Sequence, residues 1–359
     1  MYNILIIGAG PAGISAGIYA VSRGKRALVL EKAQVGGIIG KVSTVTHYTA
    51  IETQETGATF AARMKELGFR VGGFDAVMTS TVRSGSGLSS SAAVEVLLCA
   101  IFDELYNGNK LDYKLRAQIS QYAENVYFGK PSGLLDQMAS SAGGLVYIDF
   151  QDSDPEVREV SYDFAAKGYA LVVINSGGSH DDLTDCYAAI PREMREVAAC
   201  FGEKDLRGVS PEQFMQALPQ LRSQLKTPYA DRAILRAAHY FAENRRVADE
   251  VAALQNDDLP EFFRLVVESG RSSYCYLQNI FPTPARQELS LALMLGESKL
   301  QEDGAWRVHG GGFAGTTLNF VPLRHLDVFI KDMEAVFGAH SCNVLAIRPV
   351  GPACIKLGE

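Results

Sequence analysis

Arg83-Ser84-Gly85-Ser86-Gly87-Leu88-Ser89-Ser90-Ser91-Ala92-Ala93 is the stretch on which the fold turns. Ahead of it, Val77-Met78-Thr79-Ser80-Thr81-Val82 has the β-branched, apolar character of a strand. Behind it, Val94, Leu97, Leu98, Ile101 and Leu105 share one stripe and predict a helix from Ala93 to about Tyr106. Strand, Gly-Ser turn and helix together make a phosphate cradle. The glycines admit close backbone approach, the serines cap the helix, and the unpaired N–H groups and dipole of the first turn attract an anion. Taken alone, a Gly-Ser run reads as a plain loop with a serine cap.

Two further motifs give that loop its context. In AENVYFGKPSGLLDQ, residues 123–137, Glu124 and Asp136 stand twelve apart around a Gly-Lys-Pro-Ser-Gly loop. One carboxylate can hold Mg²⁺, which prefers hard oxygen ligands and bridges phosphates; the other can take a proton from an attacking hydroxyl. An isolated pair of this kind would read as a solvated Glu and a turn Asp. WRVHGGGFAGTTLNFVP, residues 306–322, reads as strand, glycine turn, strand. Three successive glycines carry an entropic cost unless something must approach the backbone closely. His180 and His309 flank these motifs and read as hydrogen-bonded structural histidines, and Phe313 reads as packing.

The N-terminus has a different character. Asn3-Ile4-Leu5-Ile6-Ile7 suits a strand buried on both faces, GAGPAG follows at 8–13, and Ile14, Ile18 and Val21 recur at helical spacing. Arg23-Gly24-Lys25 ends that helix, and Ala27-Leu28-Val29-Leu30 is a second strand closing on Glu31. This is a βαβ start with a dinucleotide fingerprint, its glycines facing a pyrophosphate and Glu31 a ribose hydroxyl.

The chain has 359 residues, 47% hydrophobic and 21% charged, which excludes collagenous, coiled-coil and wholly disordered classes. A net charge of −7 disfavours nucleic acid as a partner. No apolar run reaches the roughly 18–20 residues of a membrane span. The apolar N-terminus lacks the basic start of a signal peptide, and the six cysteines never form C-x-x-C, so the expected compartment is the reducing cytoplasm.

GAGPAG, Glu31-Lys32 and Val35-Gly36-Gly37, with a weaker likeness through HYTAIETQETGATFAARMKEL at 47–67, resemble the N-terminus of thioredoxin-reductase-like flavoproteins. That resemblance implies FAD at Gly8, Gly10, Gly13 and Glu31. The family's closing Gly-Asp segment, its redox C-x-x-C and its second glycine fingerprint have no counterpart here, so FAD is not expected to be retained.

The Gly-Ser loop, the 123–137 segment and the GGGFAG turn together resemble the GHMP small-molecule kinases. Within them, GGFDAVMTSTV at 72–82, VINSGGSHDDLTDCYAAIPREM at 173–194 and DRAILRAAHYFAENRRV at 231–247 resemble the galactokinase family over about 290 residues. The resemblance implies ATP phosphates wrapped by Gly85, Ser86, Gly87, Leu88, Ser89, Ser90 and Ser91, with Mg²⁺ on Ser91 and Glu124. It implies Asp136 as the base for the anomeric hydroxyl of galactose, Tyr187 against the sugar, and Gly310 to Gly315 shaping the site. Ala314 stands where the family more often has glycine.

The expected fold class is α/β plus α+β. A truncated Rossmann-like βαβ segment (1–67) precedes an incomplete two-lobe GHMP-kinase body (68–359), divided into the rest of the N-terminal lobe (68–165) and a C-terminal lobe (166–359). The family's R-x-N-L-I-G-E-H-x-D-Y motif, which supplies an Arg beside the catalytic Asp and groups for the sugar hydroxyls, finds no match in residues 1–80. The strand at 74–82 is therefore expected to gain an unpaired edge. Two rivals stay open: a nucleotide or sugar binder without turnover, and a flavin oxidoreductase fragment.

Overall fold

A computed structural model of the chain describes residues 4–7, 27–30, 76–78, 80, 88–127, 132–178, 183–313 and 315–355. Gly8, Gly10, Gly13, Glu31, Gly85, Ser86, Gly87, His180 and Ala314 lie outside the described residues. The chain forms two compact units, Met1–Val146 with Arg348–Glu359, and Tyr147–Ile347.

In the first unit, β1 (Ile4–Ile7) pairs in parallel with β2 (Ala27–Leu30), Ile4 opposite Ala27 and Ile7 opposite Leu30. Of the strand expected over 77–82, the described residues give β3 (Ala76–Met78); Thr79, Thr81 and Val82 lie outside them. It pairs on one side, antiparallel to β2 with Ala27 opposite Met78, and it ends the sheet, so its other edge has no strand beside it among the described residues. Backbone N–H and C=O groups seek partners wherever a strand is in reach, and β2 supplies them.

Three helices follow. These are α1 (Ser90–Phe102), α2 (Tyr113–Tyr122) and α3 (Leu135–Ala142), with single π-helical turns extending α1 over Asp103–Asn107 and α2 over Ala123–Tyr127. Asp112 caps α2 by accepting from the Leu115 N–H at 2.8 Å. The buried face of α1 is Ala92, Val96 and Cys99, not the leucine stripe: Leu97 and Leu105 are exposed. α1 lies against α2 and α3 at once, and small residues such as Ala92 and Ala117 let the helices meet closely. The C-terminal segment returns to this unit, where the Gly144 N–H donates to the Arg348 carbonyl at 2.7 Å.

After α3, β4 (Val146–Asp149) and β5 (Glu156–Glu159) form a two-stranded sheet, and the second unit is built on an antiparallel four-stranded sheet. Its order is β7 (Ala305–Val308), β8 (Thr316–Pro322), β6 (Tyr169–Asn175), β9 (Cys342–Leu345). Val172, Val173 and Ile174 on β6 and Val321 on β8 are fully enclosed, which explains the unbroken apolar runs. Helices α4 (Thr184–Ala199), α5 (Pro211–Gln224) and α6 (Ala230–Gln255) pack around Val197, Phe214, Leu221 and Ala237. Helices α7 (Leu259–Ser272), α8 (Glu288–Leu300) and α9 (Leu326–Phe337) line the sheet. Phe164 packs against Phe262 at 5.5 Å and Phe320 at 5.1 Å. Those contacts carry the segment before residue 165 into this unit, so the units part at Val146/Tyr147. The strand–turn–strand expected at 306–322 is β7 and β8, Val308 opposite Thr317.

No helix among the described residues is long and apolar enough to cross a membrane. All six cysteines are free.

Candidate active site

Ser91, Glu124 and Gln137 come together in the first unit. Ser89, just ahead of α1, adopts the left-handed conformation (φ 53°) and makes no side-chain cap. The first turn of α1 therefore keeps donors and a positive dipole end for an anion. Ser91, one residue into the helix, donates its hydroxyl to Glu124 Oε1 at 3.1 Å. Glu124 is buried, and it sits in the π-helical turn that ends α2. A π turn re-aims the side chains within it, which is why such turns recur at functional sites.

Asn125 fixes the return of the loop. Its Oδ1 accepts from the Ser132 N–H at 2.6 Å and the Ser132 hydroxyl at 2.9 Å, and its Nδ2 donates to the Ser132 carbonyl at 3.1 Å. Gln121 adds a fourth bond to the same carbonyl. The clamp starts α3 beside the π turn. Asp136 lies exposed in the first turn of α3, and the next residue, Gln137, is fully buried, with Nε2 donating to Glu124 Oε2 at 2.6 Å. Of the proposed phosphate loop, Leu88, Ser89, Ser90 and Ser91 are described, and they lead straight into α1.

Ser91 and Glu124 present hard oxygens 3.1 Å apart, a donor set that suits Mg²⁺. No group of three or more His, Cys, Asp or Glu side chains able to hold a metal occurs among the described residues. An ion on this pair would draw its remaining ligands from phosphate and water.

The second unit carries the glycine turn. Gly312 has φ +78°, and a Cβ there would stand 2.0 Å from the Asn279 carbonyl oxygen, so only glycine fits. The turn is held by the Phe313 N–H donating to the Asn279 carbonyl at 2.6 Å, Asn279 Nδ2 to the Gly311 carbonyl at 3.1 Å, and the Tyr187 hydroxyl to the Gly312 carbonyl at 2.7 Å. The far end is pinned by the Ser176 N–H on the Gly315 carbonyl at 2.6 Å. Phe313 is buried edge-on to Tyr187, ring centres 5.3 Å apart, as a packing residue should be. Burial pushes the Tyr187 hydroxyl above its ordinary range. His309 joins the hairpin through its backbone N–H on the Thr316 carbonyl.

Sequence reasoning singled out neither Gln137 nor Asn279. Gln137 was legible only as the neighbour of Asp136. Asn279, more than thirty residues from the turn it holds, left no local signal.

Residues 55–144 match the family model described as GHMP kinases N terminal domain. The match begins ahead of residue 68, where the kinase body was expected to start. A galactokinase of Glaesserella parasuis serovar 5 is 33% identical over 265 residues, 72% of this chain and 64% of that protein. A galactokinase of Streptomyces coelicolor is 32% identical over 280 residues, 77% of this chain and 68% of that protein. The chain thus spans less than two thirds of the length of the first of these relatives and slightly more than two thirds of the second. The crystal structure of Lactococcus lactis galactokinase complexed with galactose superposes with a TM-score of 0.66 at 22% identity, over 82% of this chain and 74% of that one. It shares the fold, as does L. major mevalonate kinase at a TM-score of 0.51 and 17% identity over 80% of this chain and 74% of that one. On the Streptomyces match, with the family model covering the helices that carry Ser91, Glu124 and Asp136, the chain belongs to the galactokinase family of GHMP kinases.

Proposed function

We propose that the chain transfers the terminal phosphoryl group of ATP to the anomeric hydroxyl of galactose, slowly. The Ser91–Glu124 pair at the start of α1, with Asp136 on the adjoining α3, is the observation that supports it. The loop from Gly85 to Ser91 and the first turn of α1 bind the phosphates through backbone donors. Ser91 and Glu124 would hold Mg²⁺, which would offset the negative charge of the phosphates. Asp136, exposed where substrate can reach it, takes the proton from the anomeric hydroxyl. Tyr187 acts on the sugar side through the glycine turn it holds.

Weak turnover follows from residues 1–80, which offer no string of the form R-x-N-L-I-G-E-H-x-D-Y. Each lost charge-assisted hydrogen bond to a sugar hydroxyl is worth about 1.5–3 kcal/mol. The same observation favours a second reading, a nucleotide-binding relative without turnover. A flavin-dependent reading has less support, because no second half of a flavin domain is legible in the sequence.

Equilibrium titration separates these readings from the flavin one. Mg·ATP binds stoichiometrically and in preference to NADPH or FAD. Stoichiometric FAD retained through gel filtration, with no affinity for nucleotide, contradicts the proposal.

A further inference from the structure

Gln137 is fully buried, and its amide is divided in an unusual way. Nε2 donates to Glu124 Oε2 at 2.6 Å and reaches Glu95 Oε2 at 3.4 Å, while Oε1 is sealed from solvent and accepts no hydrogen bond among the described residues. A buried acceptor left unpaired is destabilising, and an apolar side chain of the same size would avoid that penalty. Packing therefore does not account for an amide here. Its N–H groups do, because each faces a carboxylate.

The consequence falls on Glu124. Its Oε1 is taken by the Ser91 hydroxyl from α1 and its Oε2 by the Gln137 amide from α3. Two donors on two helices fix the plane of a carboxylate whose terminal torsion is otherwise broad. Glu95, one turn beyond Ser91 on α1, is tethered through the same NH₂ group. α1, the π turn and α3 are thereby locked at one point.

We propose that Gln137 is a positioning residue for the divalent ion, presetting the Glu124 carboxylate through its amide donors. This rests on the phosphoryl-transfer reading above. Partners that orient a metal ligand typically change metal affinity by about 10–100-fold when removed.

Mn²⁺ is the probe, with free ion read by electron paramagnetic resonance while the full chain is titrated at saturating ATP. Gln137→Met raises the apparent Mn²⁺ dissociation constant about 10–100-fold. It leaves binding of metal-free ATP, measured in EDTA, unchanged, and added Mn²⁺ restores the complex. In a Glu124→Ala background the same substitution adds no further loss, because Gln137 acts through Glu124. Should Gln137→Met fail to fold, Gln137→Asn keeps the amide but withdraws it by one methylene and gives the same loss. Equal Mn²⁺ affinity in the wild type and the variant overturns the proposal alone, as does a loss that persists undiminished without Glu124. A wild-type chain that binds no Mn²⁺ with ATP overturns the proposal and the reading beneath it.

Discussion

Glu124 and Asp136 flank one loop, yet their surroundings differ, and separate tasks are proposed for them. Glu124 is buried and hydrogen-bonded at both oxygens, which suits the proposed ligand role; Asp136 is exposed at the first turn of its helix. Glu124→Ala is therefore expected to weaken Mg·ATP binding in calorimetric titration, whereas Asp136→Asn leaves it nearly intact and lowers turnover by about 10²–10⁴. Equal loss of nucleotide affinity in both variants would show the roles to be misassigned. A second buried acid acts on stability. Burial on α6 pushes the Glu250 carboxyl up to about 7 from an ordinary 4.5, while Arg307 and Arg246 pull the other way. In this window the folded chain holds a proton that the unfolded chain has released. Its contribution to stability is accordingly lost as pH rises from about 4.5 to about 7. Glu250→Gln should raise the melting temperature at pH 8 by several degrees, for roughly 1–3 kcal/mol, and leave it unchanged near pH 4. Comparing variant with wild type at each pH removes the opposing titration of His239, whose pKa burial lowers.

At the scale of elements, α3 carries Asp136 and Gln137 at one end and is gripped at the other. A Cβ at Gly351 would lie 2.1 Å from the Ser141 carbonyl oxygen, and one at Gly143, where φ is +74°, would lie 2.2 Å from the Val350 carbonyl carbon. The returning C-terminal segment thus touches α3 backbone to backbone. Gly351→Ala is expected to destabilise the first unit by about 1–3 kcal/mol. It should also speed amide exchange along Leu135–Ala142, whereas Gly133→Ala, with open space around it, changes neither. Unaltered exchange in Gly351→Ala would mean that the grip does not support the helix. β7, β8 and their glycine turn were legible because β-branched runs and three glycines specify strand and close approach locally. The buried face of α1 was not. Apolarity pointed to Leu97 and Leu105, but contact with two helices at once selects the small side of the helix, Ala92, Val96 and Cys99. Nor does local pattern announce a π turn, although that turn is what aims Glu124.

Across the chain as a whole, three motifs pointed to the family, and the chemistry proposed for it rests on Ser91, Glu124 and Asp136. What the sequence hid were supports made by contact across the chain: Gln137 on Glu124, Asn279 under the glycine turn, and β2 alongside β3. These depend on which surfaces meet, and residue type alone does not encode that. Phosphoryl transfer to galactose is proposed to be limited on the sugar side by the motif that residues 1–80 do not show. Lost bonds to the sugar hydroxyls weaken binding and are offset by more galactose, but the Arg that the motif places beside the catalytic Asp would be missing from the reaction itself, so raising the sugar concentration should not restore an ordinary rate. The most direct test is a coupled assay of ADP release at saturating Mg·ATP, with galactose raised toward its solubility limit and the Asp136→Asn variant run alongside. Galactose-dependent release below the ordinary kinase range of about 1–100 s⁻¹, abolished by Asp136→Asn, is expected. Release within that range would show that other residues have rebuilt the sugar site, and release indifferent to both galactose and Asp136 would rule out phosphoryl transfer to galactose by this site.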